Sequence, residues 1–126
     1  MMAGKAMLFG DAEMADRIRA TPHPRAARAL GREVRGFDEQ RWAERRFDLV
    51  VAGNLAKFVQ HPDLRDFLLT TGSRVLVEAS PHDQIWGIGL TADHEYAASP
   101  GHWRGLNLLG FALMEVRHQL QAESAA

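Results

Sequence analysis

The stretch GFDEQRWAERRFDLVVAGNLAKFVQ, residues 36–60, constrains the fold more than any other part of this chain. Trp42, Phe47, Val50, Val51, Asn54, Leu55 and Phe58 recur at three- and four-residue steps. That spacing gathers side chains on one face of an α-helix. Gly53 weakens such a helix without ending it.

The punctuation around this stretch predicts further helices. MMAGKAMLFGDAEMADRIRA reads as one helix up to Phe9 and another after Asp11, which serves as N-cap beside Gly10. In TPHPRAARALGR, Thr21 is the expected cap, Pro22 and Pro24 suit a first turn, and Gly31 can stop the helix. HPDLRDFLLTTG predicts a short helix from Pro62 to Gly72. GLNLLGFALMEVRHQLQ predicts a closing amphipathic helix with Leu109, Ala112, Leu113, Val116 and Leu120 on its inner side, followed by a frayed tail over 122–126. RVLVEAS, residues 74–80, is the best strand, rich in branched residues. From Pro81 to Gly105, glycines and prolines with little periodicity predict a long functional loop. The expectation is an α+β fold: a predominantly helical single domain with a small sheet.

Composition narrows the function classes. The 126 residues carry a net charge of −1, with 46% hydrophobic and 25% charged residues, which is ordinary for one globular domain. Near-neutral charge gives no electrostatic case for a general DNA binder, although a local basic patch is compatible with it. The absence of cysteine excludes disulfides and thiolate metal sites and makes a reducing, cytoplasmic location the simpler expectation. The longest apolar run falls well short of the roughly 20 residues that cross a bilayer, and the start lacks the pattern of a signal peptide.

The chemistry concentrates in SPHDQIWGIGL, residues 80–90. An aspartate, Asp83, stands three positions before an indole, Trp86, and Gly87 and Gly89 follow. A flat aromatic can stack on a base or a sugar, glycine lets a ligand approach the backbone, and a carboxylate can stabilise positive charge developing on a ribose. A core tryptophan before a glycine turn, with Asp83 capping it, fits the same pattern. Of 15 basic residues only Lys5 and Lys57 are lysine. A lysine amine can lose its proton and attack carbon, whereas a guanidinium stays charged. Partial burial of Lys5 among Met1, Met2 and Met7 would lower its pKa, although on pattern alone a surface lysine is the plainer reading. Lys57 reads as a snorkelling side chain. Asn107, between Leu106 and Leu108, must be hydrogen-bonded if buried, to protein or to ligand. Arg117 is placed to complement a helix dipole. His82, His94 and His102 share the loop with acidic residues, but their spacing matches no compact ligand motif, so no metal and no cofactor is expected. A phosphate-binding P-loop, a full dinucleotide fingerprint and a nucleophile elbow are all missing.

GKAMLFGD, GREVRGFDEQRW, AKFVQHPDLRDFLLTTG, LVEASPHDQIWGIGL and GLNLLGFALMEVR occur in that order, and together they resemble the NADAR family over nearly the whole chain. The family includes N-glycosidases acting on riboflavin-pathway intermediates and hydrolases that remove ADP-ribose from guanine. The resemblance implies a NADAR-like domain over 1–121 with Lys5 and Asp83 as catalytic residues. Lys5 matches the amine implicated in attack on ribose C1 through a Schiff base. Trp86, Gly87, Asn107 and Arg32 are the implied substrate-binding residues, with Arg32 a candidate for a phosphate. The implied partner is a small ribosylated base or ADP-ribosyl-guanine in nucleic acid, with no membrane. The family carries a glutamate seven positions before the lysine that matches Lys5, and only four residues precede Lys5 here. The corresponding expectation is a domain lacking its N-terminal segment. A module that binds ADP-ribose or a nucleotide without turnover is the alternative.

Overall fold

The computed structural model describes residues 2–125, with the backbone alone for Ala3, Ser124 and Ala125. The chain divides into two compact units, Met1–Val50 and Val51–Ala126, with the division falling inside one long helix.

The N-terminal unit holds α1 (Met2–Leu8), α2 (Ala12–Arg19), α3 (Pro24–Gly31) and the first half of α4 (Glu39–Gln60). Asp11 caps α2 by accepting the Met14 amide at 3.2 Å. α3 begins later than its sequence suggested. His23, not Thr21, is its N-cap, and His23 Nδ1 accepts the Arg25 amide at 3.3 Å. The Thr21 hydroxyl instead donates to the Arg17 carbonyl at 2.8 Å, so it closes α2. Three helices meet because each has small or apolar residues on one side. Ala6, Met14, Ala15, Ile18 and Val34 form the core, and Met2, Phe9, Ala27 and Leu30 pack around it.

The C-terminal unit holds the rest of α4, then α5 (Pro62–Thr70), a single 3-10 turn over Pro100–His102, and α6 (Leu108–Ala125), which packs against α5. α6 thus continues through the segment expected to fray, and Ala126 lies outside the described residues. Ile88, Ala112, Val116 and Leu120 are fully buried. Leu120→Ala removes a fully buried side chain and is expected to cost about 3 kcal/mol, read as a lower urea midpoint at unchanged slope.

The small sheet does not form, and this corrects the α+β expectation: among the described residues every regular element is a helix. Residues 74–80 form no regular element and make no ladder with any described segment. Side chains and single amides take up its backbone groups instead. Arg117 Nη2 donates to the Arg74 carbonyl at 2.8 Å, and Arg117 Nη1 to Thr71 Oγ1 at 2.8 Å. Arg117 is buried, so its work is this staple and not only a dipole contact. Branched residues favour extended backbone but cannot supply a neighbouring strand. Val75 and Val77 accordingly stay 59% and 39% exposed. No described helix is long and apolar enough to cross a membrane.

Candidate active site

The site residues expected from sequence fall into two groups, one in each unit. Asp83, Trp86, Gly87 and Asn107 lie together in the C-terminal unit. Asp83 Oδ1 accepts the Trp86 amide at 2.8 Å and the Ile85 amide at 3.0 Å, which closes the DQIW turn. Its Oδ2 meets no donor among the described residues. The turn is then bolted to the start of α6. Gln84, Gly87, Ile85 and Trp86 carbonyls accept the amides of Leu106 (2.9 Å), Asn107 (3.0 Å), Leu108 (3.1 Å) and Leu109 (3.1 Å). A helix N-terminus has amides with no partner inside the helix, and here the acid-and-indole loop satisfies them.

Gly87 is required by close approach. A Cβ there would stand 2.9 Å from the Asp83 carbonyl and 3.0 Å from the Glu78 carbonyl. Gly105 faces Gly87 in the same way, with the Gly87 carbonyl against its missing Cβ. Asn107 is fully buried at φ 53°, a left-handed backbone that asparagine tolerates better than most residues. Its Oδ1 accepts the Glu78 amide at 2.9 Å, and its Nδ2 donates to the Leu76 carbonyl at 3.0 Å. One amide side chain therefore fixes the segment through Leu76 and Glu78 to the start of α6. The two tryptophans of this region differ. Trp103 Nε1 donates to the Ala97 carbonyl at 2.9 Å. The Trp86 indole N–H has no acceptor among the described residues, so it is available to a ligand. Two cavities of this unit, about 450 and 240 Å³, are largely apolar, and neither is lined by Asp83, Trp86 or Asn107. Two of the three loop histidines, His94 and His102, are used in ring packing. His102 stacks on Tyr96 with centroids 4.2 Å apart, and His94 tilts against the same ring at 5.7 Å.

Lys5 and Arg32 lie together in the N-terminal unit. Lys5 is partly buried on α1, and Arg32 is exposed at the C-cap of α3. Burial first, and the nearby Arg32 charge second, lower the Lys5 pKa from its ordinary value. Of the three methionines expected around it, Met2 joins the core, Met7 is half exposed, and Met1 lies outside the described residues. The amine faces aromatic rings instead, with Nζ 4.6 Å from the Phe37 centroid and 5.6 Å from that of Trp42. No carboxylate pairs with Lys5 among the described residues. Sequence reasoning missed Phe37, because nothing local links a loop ring to an amine thirty-two positions earlier. Lys57 is exposed at the end of α4, its Nζ 5.9 Å from the Phe58 ring.

The most buried acid is Asp11, whose carboxylate also accepts the Arg35 amide at 2.9 Å and Arg35 Nη2 at 2.8 Å. The Arg35 guanidinium and backbone hold its carboxyl well below the usual carboxylate range. A depressed folded pKa contributes stability that is complete above the unfolded value of about 3.9 and is lost as pH falls below it. Wild type should therefore melt above Asp11→Asn at pH 7, with the gap closing below about pH 4. A gap as large at pH 2 as at pH 7 contradicts this assignment.

The chain matches the NADAR domain family over residues 1–121. It is 46% identical over 121 residues to an N-glycosidase of Acanthamoeba polyphaga mimivirus, which covers 96% of this chain and 71% of that protein. It is 34% identical over 119 residues to the N-glycosidase YbiA of Escherichia coli, covering 94% and 68% respectively. A chloroplastic riboflavin biosynthesis protein, PYRR, of Zea mays is 33% identical over 112 residues, 86% of this chain and 16% of that protein. The chain belongs to the NADAR family and is a homologue of N-glycosidases, hydrolases acting on N-glycosyl compounds.

Proposed function

We propose that this protein hydrolyses the C–N bond between a ribose C1 and a nitrogen base. The substrate classes that fit the family are a riboflavin-pathway ribosylamino-pyrimidine phosphate and ADP-ribosylated guanine. The observation that carries the reading is the state of Lys5: an amine partly removed from water, beside Arg32 and without a carboxylate, is poised toward its neutral, nucleophilic form. In the proposed reaction the amine attacks C1, and the base leaves with the bonding electron pair and takes up a proton. Water then attacks C1, returning the amine and leaving a hydroxyl on the sugar. Asp83 stabilises the positive charge that the ring carries on the way, a charge absent from the ground-state substrate. Trp86 presents its ring and free N–H to the ligand. Arg32 is proposed to meet a phosphate. Asn107 acts by holding the loop.

Asp83→Asn isolates the charge. The asparagine oxygen can still accept the Ile85 and Trp86 amides, so the turn persists while the carboxylate is lost. The expected result is a kcat about 10²-fold lower with an unchanged melting temperature. A product assay with both substrate classes identifies the base released. Binding of ADP-ribose by calorimetry, with no base released from either substrate, would support the non-catalytic alternative.

A further inference from the structure

Asp11 is 2% exposed, yet it takes part in no step above. Its bonds to Met14, to the Arg35 amide and to the Arg35 guanidinium tie the turn between α1 and α2 to the chain that follows α3. The next residue, Gly36, has φ +73° and would bring a Cβ within 3.3 Å of the Phe9 carbonyl. The chain turns there and delivers Phe37, whose ring meets Phe9 edge-on at 5.3 Å and the Lys5 amine at 4.6 Å. The groups facing Lys5 come from three elements. Arg32 approaches from the end of α3, Phe37 from the loop, and Trp42 from α4. Arg41 of α4 lies over the Phe9 ring, 5.7 Å from its centroid. Arg32 and burial oppose the charged amine, while a ring face attracts it.

We propose that Asp11 is a positioning residue for Lys5: through Arg35 and Gly36 it fixes the Phe37 ring against the Lys5 amine, and that ring holds the amine in place and offsets part of the opposition that burial and Arg32 present to its charged form. This rests on the reading of Lys5 as the reacting amine, and its test does not depend on activity.

The amine is followed by trace acetylation with acetic anhydride across pH and mass spectrometry. Lys57, the second lysine, serves as reference in the same molecule. Phe37→Leu keeps an apolar side chain but removes the ring face, and Phe37→Tyr keeps the face. Phe37→Leu should lower the Lys5 midpoint by about half a pH unit, whereas Phe37→Tyr should leave it in place. An unchanged or raised midpoint in Phe37→Leu means that the ring merely shields the amine, and the proposal is overturned. The role of Asp11 is read by non-additivity. In an Asp11→Asn background, Phe37→Leu should no longer move the midpoint, because the ring is already free of its anchor. A full shift in that background removes Asp11 from the proposal. Arg35→Gln, at a side chain 71% exposed, removes the guanidinium half of the same link while keeping the backbone bond, and substitutes for Asp11→Asn if that variant does not fold. Retained hydrolysis in Lys5→Arg would end the catalytic reading while leaving this arrangement intact.

Discussion

Lys5→Arg is expected to lower turnover at least about a thousandfold while leaving the fold in place. Arginine keeps the positive charge and can rest on the same Phe37 and Trp42 faces. It cannot lose its proton near neutral pH, so it offers no lone pair to a carbon. The substitution therefore separates the amine as a cation from the amine as a nucleophile. The pH profile carries the same argument. A lysine titrates near 10.4 in water, and burial together with Arg32 moves Lys5 below that. The rising limb of kcat/KM should have its midpoint below the ordinary lysine value. Arg32→Gln should move it back upward, because it removes a repelling charge. Wild-type hydrolysis rates in Lys5→Arg would sink the reading.

Asn107→Ala is expected to cost about 3–5 kcal/mol. The side chain is fully buried, and its loss strands the Leu76 carbonyl and the Glu78 amide without their partner. Alanine also fits φ 53° poorly. Asn107→Gly lacks the amide too but tolerates the backbone, so it should recover about 1 kcal/mol. The difference between the two variants measures the dihedral cost, and the remainder measures the clamp. Small domains hold only about 5–15 kcal/mol in all, so Asn107→Ala should leave a chain that unfolds at markedly lower denaturant. An unaltered midpoint would mean that the segment through Leu76 and Glu78 is secured by something other than this amide.

Features written in short windows were legible in the sequence. Asp11 beside Gly10 gives the start of α2, and the apolar steps through Val50 and Val51 give α4 across Gly53. The misread elements depended on partners elsewhere. RVLVEAS has the residues of a strand, but β-preference describes how a side chain fits a pleated surface, and no described neighbour completes that surface. Thr21 and His23 are both capping residues ahead of a proline, and local preference does not choose between them. Asp83 illustrates a different limit. Its spacing from Trp86 was visible, and both the capping and the ligand-binding readings were open. One oxygen caps the turn, and the other faces no donor among the described residues. Asp11 and Arg35 are twenty-four positions apart, and no periodicity connects them.

The bond between the DQIW turn and the start of α6 has a dynamic consequence. To swing away, the turn would leave the amides of Leu106 to Leu109 with no acceptor. Opening of that loop and unravelling of the first turn of the last helix are thus one event, and their amide protons should exchange with solvent at a common rate. On the proposed reading, a ligand reaching the indole meets a turn already held by these four bonds, so little of its affinity is spent on ordering that segment.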